Sequence, residues 1–310
     1  MAKRFWRKLA ATAKIETTYG TDAVPTGAAN AIQLNDVSLT PLAGEEKTRD
    51  LLTAYYGHQG VLLVGDYVEL QGFVELAGSG TAGTAPAYGP LLRACGLAET
   101  TVATTSVTYA PASAGQEALT LYLNLDGVNH VMLGARGTFT LALAPKEIPR
   151  LVFTFRGLLG PITALALPTA VLTAFKKPVP VSKANTALWT LHGFAAIAES
   201  FSFDLGAQVE ARHLVGDESI QITGRQATGT MVVEADTLAA KDWISIARAH
   251  TTGALAIRHG LTAGNIIEIN APAVQIGRPT YGNTQGITNY SLPLMFTPVT
   301  GDDEFAIVAK

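Results

Sequence analysis

Apolar and polar residues alternate over short stretches along most of the chain, which is the pattern of β-strands with one buried face. Residues 201–205 read Phe-Ser-Phe-Asp-Leu, with an apolar side chain at every second position. Residues 118–125 and 128–133 have similar character, and Asp126-Gly127 between them is typical of a hairpin turn. The pattern therefore predicts a mainly β protein.

Helical spacing of apolar residues occurs in few places. It predicts one helix within Pro86–Cys95, ended by Gly96, and a second over Ala239–His250. The basic segment Lys3–Lys14 can also form a short helix. Helices are expected to flank the sheets rather than to build the core.

The order of predicted elements occurs twice. Tyr67–Gly96 reads as a strand, a glycine-rich loop, a helix and a closing glycine, and Arg225–Gly253 repeats that order. The number of residues from Gly72 to Gly229 equals the number from Gly96 to Gly253. Leu151–Phe155 likewise corresponds to Leu292–Phe296, after a shorter preceding loop. We interpret this as two tandem units.

The units and their connections divide the chain into four parts. Val61–Val64 and Tyr67–Glu75 are predicted as two strands joined at Gly65-Asp66. The prolines between Leu158 and Trp189 mark a connection, and they disfavour a membrane helix over its uncharged start. The predicted parts are an N-terminal arm at 1–30, a first unit at 31–157, a linker at 158–190 and a second unit at 191–310.

Charge is sparse in this composition. Only 15% of residues are charged and 48% are hydrophobic, whereas about 25% charged is usual for globular proteins. This favours a subunit that buries much of its surface against neighbours, although a large single core is an alternative. A net charge of −3 disfavours sequence-specific DNA binding, and the lone Cys95 excludes a disulfide framework.

No motif points to catalysis. Gly78–Gly83 lacks the Lys-Ser or Lys-Thr that a phosphate-binding loop needs, and the six histidines show no ligand spacing. The neighbouring carboxylates Glu45 and Glu46 are interpreted as solvated loop charges. The sequence therefore predicts no catalytic residue, no cofactor and no metal. Trp6 and Trp189 are candidate anchors between subunits, with burial inside the subunit as the alternative.

Three segments resemble a known family. They are Lys14–Pro25, Val37–Pro41 and the glycine-rich loop with its helix in Ala77–Leu97. They resemble the tail tube (major tail) proteins of bacteriophages with long non-contractile tails.

The resemblance implies a fold and an assembly. It implies two tandem tail-tube-like β-sandwich or half-barrel units, each with a flanking α-helix, whose strands join an intersubunit β-barrel. The usual ring of that family is a hexamer of single units, so a chain with two units predicts a homotrimer with pseudo-sixfold symmetry. Such rings stack into a tube that conducts double-stranded DNA from capsid to host, without enzymatic activity.

The resemblance also implies contacts and partners. The arm and the linker are expected to bridge successive rings through Trp6, Tyr19, Val24, Pro25, Pro178, Pro180 and Trp189. The implied partners are other copies of the chain, a tape measure protein, tail terminator and distal tail proteins, and DNA passing without sequence-specific contacts. The protein is expected in the virion tail after assembly in the host cytoplasm, with no membrane and no signal peptide.

Other readings of the sequence lead elsewhere. A monomeric two-domain decoration or cell-surface binding module is one alternative, and it would call for exposed aromatic patches on loops. An enzyme would need convergent polar residues in a cleft between the units. A tail terminator or distal tail component would share the fold.

Overall fold

Antiparallel strands make up most of the structure, a computed structural model that describes residues Lys3–Lys310. The first half contains β1 (Leu9–Ile15), β2 (Ala31–Ile32), β3 (Asn35–Thr48), β4 (Val61–Glu75), α1 (Gly89–Ala94), β5 (Leu97–Val102), β6 (Ser106–Pro111), β7 (Leu119–Leu125), β8 (Val128–Leu143) and β9 (Arg150–Ala164). The mainly β character that the sequence predicts is confirmed.

The second half has a similar series of elements. It contains β10 (Thr186–Leu191), β11 (Phe194–Ala195), β12 (Ala198–Asp204), β13 (Ala207–Leu214), β14 (Asp217–Arg225), β15 (Thr228–Glu234), α2 (Trp243–Arg248), β16 (Thr252–His259), β17 (Ile267–Ile276), β18 (Thr280–Thr284), β19 (Ile287–Phe296) and β20 (Ala306–Ala309).

Eight strands form one continuous antiparallel layer through both halves. Their order is β3-β4-β9-β8-β12-β15-β19-β18. The C-terminal part of β8 pairs with β12, whereas its N-terminal part pairs with β7, and β9 pairs with both parts. We call these eight strands the long layer.

The other strands form the opposite side of the sandwich, except β13 and β14, which make a separate two-stranded sheet. β2, β1, β7 and the start of β8 pair in the first half, while β11, β10, β16 and β17 pair in the second. The C-terminal strand β20 pairs with β17 on one side and with β6 on the other, so it joins the two halves. Together with the continuous long layer, β20 ties the halves into one body.

The core lies between the two sides of the sandwich. Alternate residues of the long layer point into it, as the period of two requires, and aromatic rings meet at its centre. Phe203 contacts both Phe139 and Phe305, with ring centroids 5.9 Å and 4.7 Å apart. Both helices close the core: α1 buries Leu91 and Leu92, and α2 buries Trp243 behind an N-cap formed by Asp242.

The halves share strand order and register. β3-β4-β9-β8 in the first half corresponds to β12-β15-β19-β18 in the second, with β17 continuing into the position of β8. Gly72 pairs with Phe153, and Gly229 pairs with Leu294. The glycines that the sequence matched therefore occupy equivalent places in the sheet.

The N-terminal segment differs from its expectation. Lys3–Lys14 was expected as a short helix in an arm, but Leu9–Ile15 is strand β1, paired with β7 and β2. Ala10, Ala11 and Ala13 are all buried, so small residues face both sides and the alternation that marks a strand is lost. The first two residues of the predicted arm lie outside the described residues.

Several predicted strands merge into longer ones. Gly65-Asp66 was expected to be a hairpin turn, but β4 runs unbroken through it. Gly65 has φ +67°, and Gly44 on the paired strand has φ +153°, so two glycines permit a bend within the ladder. Similarly, β8 continues through Gly134, and β9 continues to Ala164, inside the predicted linker. The four-part division of the chain stays a prediction.

Candidate assembly and channel surface

The long layer has two open ends. β3 pairs only with β4 and β18 pairs only with β19 among the residues that the structure describes. Every residue of β18 is exposed. Unpaired backbone donors and acceptors at a sheet edge are a template for another strand. The chain therefore presents two such edges, one from each half.

The junction between the halves shows how such edges can join. β12 of the second half pairs with β8 of the first, with Phe203 opposite Leu141. Beyond the strand, the backbone N–H of Leu205 donates to the carbonyl oxygen of Phe139 over 3.1 Å. Leu205 is fully buried. The junction therefore combines a backbone ladder with apolar side chains that enter the core.

Hairpin β13–β14 extends this junction over the first half. Arg136, only 9% exposed, donates to the carbonyl oxygen of Ile220 and to the side-chain oxygen of Gln221, both over 2.7 Å. Arg156 donates to the carbonyl oxygen of Val209 over 2.7 Å. We call this the docked hairpin, because side chains of the first half hold its backbone.

Tyr19 completes the hold on the docked hairpin. Its hydroxyl accepts from the backbone N–H of Ile220 over 2.5 Å, and its ring lies 5.0 Å from the guanidinium of Arg136. Burial raises the pKa of the Tyr19 hydroxyl and lowers the pKa of the Arg136 guanidinium. The guanidinium remains charged, since arginine does not deprotonate in proteins.

Among the described residues, the equivalent hairpin of the first half is largely uncovered, and His213 of the docked hairpin lies beside Gly65 at its base. We call the outer parts of β3 and β4 with their connection, residues 43–67, the free hairpin. Its apolar side chains point into solvent: Leu51, Leu52, Tyr55, Tyr56, Val61, Leu62, Leu63 and Val64 are all exposed. A contiguous exposed apolar set of this size marks an interaction surface.

The solvent face of the long layer is rich in small hydroxyl side chains. The residues on this face include Thr138, Thr140, Ala142, Thr154, Ser202, Thr228, Thr230 and Ser291, as the alternation with core residues requires. Its charges are mainly acidic, with Glu69, Glu75, Asp204 and Glu234 against Arg150 and Arg156, because Arg136 is buried beneath the docked hairpin. Glu69 and Arg156 form an ion pair of 3.1 Å. The face thus has no strong positive field.

The predicted arm residues lie apart from one another. Trp6 is 64% exposed and Val24 is 61% exposed, whereas Pro25 is buried. Tyr19 contacts the docked hairpin. The structure does not bring these four side chains into one site, and their role between rings stays a prediction.

The predicted linker residues lie along the second half. Pro178 is half-buried and Pro180 is exposed. His259 holds the segment between them, because its Nε2 lies 3.0 Å from the carbonyl oxygen of Val179. Trp189 is half-buried against Phe201 and lines a groove of about 530 Å³. Contacts of these residues between rings also stay a prediction.

Sequence reasoning missed the residues that hold the docked hairpin. Arg136 and Arg156 are charged residues within apolar strands, and that contrast was the available signal. Arg136 and Arg156 donate to backbone carbonyls that lie 84 and 53 residues away in the chain, respectively. No local sequence pattern could have identified these distant partners.

Two further features of the described part of the chain concern metal-ligating side chains and membrane-spanning helices. Residues 3–310 contain no cluster of three or more histidine, cysteine, aspartate or glutamate side chains suited to a metal ion. Within the same residues, neither short helix is long and apolar enough to span a bilayer.

Comparison with known proteins identifies the family. A family model described as phage tail tube protein matches residues 6–297, which include both halves. No curated protein matches the chain. The match supports a structural role in the tail of a virion, and it agrees with the antiparallel β-sandwich and its open edges. The chain belongs to the phage tail tube protein family.

Proposed function

We propose that three copies of this chain form one ring of a phage tail tube, with pseudo-sixfold symmetry from two duplicated units per chain. The repeated strand order in the long layer supports this proposal most directly. The two halves follow one another in the layer with the same strand order. The two outer edges of the layer therefore differ, since one is formed by β3 and the other by β18. Head-to-tail contacts of this kind close into rings or extend into filaments.

Closure would solve the problem of the open edges. Exposed strand edges promote aggregation unless they are paired or covered, and a closed barrel removes them. A monomeric decoration module would leave both edges exposed. The tube proposal therefore accounts for a feature that the alternative does not.

The solvent face of the long layer would line the channel. Its threonine and serine side chains and its mainly acidic charges offer no basic patch to hold phosphates. Double-stranded DNA would pass along such a wall without sequence-specific contacts. Stacked rings would conduct the genome from capsid to host through a long non-contractile tail.

The proposal also names partners and a place of assembly. Rings would stack through the arm and linker residues, the tube would form around a tape measure protein, and terminator and distal tail proteins would close its ends. Assembly would occur in the host cytoplasm. In this proposal the protein has a structural role as the wall of the tube, and the proposal involves no catalytic residue or cofactor.

Electron microscopy of the purified protein tests the ring. The expected images show rings or tubes with threefold symmetry, and mass measurement of single rings gives three chains. A monomer at every concentration and salt condition, or rings of six chains, would contradict the proposal.

A further inference from the structure

We infer that strand β3 of one copy pairs with the segment 276–281 of the next copy, beside helix α2, and that this contact closes the ring. The inference rests on the proposed ring and names the surface that would join its copies. The junction inside each chain, between β12 and β8, serves as its template.

The equivalence of strands sets the partners. β12 pairs with β15 as β3 pairs with β4, so Phe203 corresponds to Val37 and Leu205 corresponds to Leu39. The β8 residues opposite β12 correspond to the end of β17 and the start of β18, with Phe139 at the place of Ile276. β3 and 276–281 are the two outer edges of the long layer.

The pairing of Leu205 predicts one particular hydrogen bond. In the chain, the N–H of Leu205 donates to the carbonyl oxygen of Phe139. By equivalence, the N–H of Leu39 donates to the carbonyl oxygen of Ile276 in the neighbouring copy. Asn35 pairs with Phe73 as Ser202 pairs with Thr230, and Ser202 lies opposite Ala142, whose equivalent is Thr280. The same register therefore places Asn35 opposite Thr280.

A groove lies where the incoming strand is expected. It has a volume of about 570 Å³ and lies between α2 and the free edge that follows β17. Its lining includes Ile244, Ala247, Arg248, His250, Ile276 and Arg278. At the equivalent place in the first half, β12 pairs with β8 and Leu205 is buried.

Charge also matches across the proposed contact. Arg248 and Arg278 take part in none of the ion pairs found in residues 3–310. On the incoming strand, Asp36 and Glu46 are exposed carboxylates. Opposite charges on two surfaces steer their encounter and disfavour wrong partners. A second copy of the chain is therefore the partner that this groove fits.

Cysteine pairing tests the register directly. Asn35→Cys together with Thr280→Cys, in the full chain under mild oxidation, is expected to give covalent dimers and trimers on denaturing gels, with trimers as the largest product. Background is low because the single native cysteine, Cys95, is buried. Asn35→Cys with Thr101→Cys, an exposed residue away from both edges, is the matched control and is expected to give no ladder.

Blocking the groove provides a second test. Ala247→Trp fills the groove and is expected to reduce ring formation at least tenfold while the far-ultraviolet circular dichroism spectrum stays unchanged. Ala239→Trp, an exposed alanine outside the groove lining, is expected to assemble like the original chain.

The outcomes separate the inference from the proposed function. If the original chain forms threefold rings but the cysteine pair gives no ladder, or links only within one chain, the inference is wrong and the ring stands. Normal assembly of Ala247→Trp would also overturn the inference. If the original chain never assembles, the proposed function itself fails.

Discussion

The two long hairpins of this chain share one topology but have opposite surroundings. The docked hairpin lies against the first half and is held by Arg136, Arg156 and Tyr19. The free hairpin, residues 43–67, presents leucine, valine and tyrosine side chains to solvent. The docked hairpin thus covers another part of its own chain, whereas the free hairpin would cover the next copy in the proposed ring.

Removal of the arginine beneath the docked hairpin should have the largest effect on the stability of the chain. Arg136→Ala leaves the buried acceptors of Ile220 and Gln221 without their charged donor, and we expect unfolding free energy to fall by about 3 kcal/mol. Chemical denaturation measures the loss, and hydrogen exchange should show reduced protection in β13–β14. Arg212→Ala, on an exposed side chain of the same hairpin, is the control. Unchanged protection in Arg136→Ala would show that the hairpin does not depend on this anchor.

A charge placed on each hairpin should separate stability from assembly. Val209 is buried in the docked hairpin, so Val209→Asp should destabilise the chain by about 2 kcal/mol. Leu63 is exposed in the free hairpin, so Leu63→Asp should change stability by less than about 0.5 kcal/mol. Leu63→Asp should instead weaken assembly, measured by sedimentation. Equal destabilisation by both changes would erase the distinction between the hairpins.

Loss of one hydroxyl should loosen the docked hairpin slightly. Tyr19→Phe keeps the ring over Arg136 but leaves the N–H of Ile220 without its acceptor, at a cost of about 1 kcal/mol. Thermal unfolding measures this change, and Tyr56→Phe on the free hairpin is the matched control. A loss that also appears in Tyr56→Phe would point away from the Ile220 contact.

The smallest expected effect is the pH dependence of stability that arises from His259, which contacts the predicted linker. Burial lowers the pKa of His259, so the folded chain keeps this imidazole neutral where the unfolded chain takes up a proton. Stability should therefore fall as pH drops below the ordinary histidine pKa of 6.5. The unfolding free energies that urea denaturation gives at pH 7.5 and 5.5 should differ less for His259→Gln than for the original chain. His58→Gln, on the free hairpin, should keep the original difference, and a pH response that follows His58 would contradict this account.

The sequence predicted much of the local structure but little of the pairing between distant strands. Alternation predicted strands such as β12, and helical spacing that ends at Gly96 predicted α1. In the structure Gly96 has φ +80°. The strand β1 was missed because its alanines are buried on both faces, and the bend at Gly65 was mistaken for a turn. Local patterns report which face of a segment is apolar, whereas the partner of an edge depends on the whole sheet.

The candidate surface was predictable only in outline. The repeat suggested assembly, but the open edges became visible only once β18 and β3 had been placed at opposite ends of the long layer. Trp6 and Trp189 were predicted as anchors between subunits, and both lie outside the groove beside α2. The residues that line this groove belong to α2, β17 and the segment after β17, and these elements come together only when the chain folds.

The covalent link between the halves has a kinetic consequence for the proposed ring. Every β12–β8 junction forms within one molecule, at an effective concentration set by the connection and not by how much protein the cell contains. Only the junctions between chains depend on protein concentration, and they are half of the total. A ring of this kind should nucleate at lower subunit concentration than one built from six separate units.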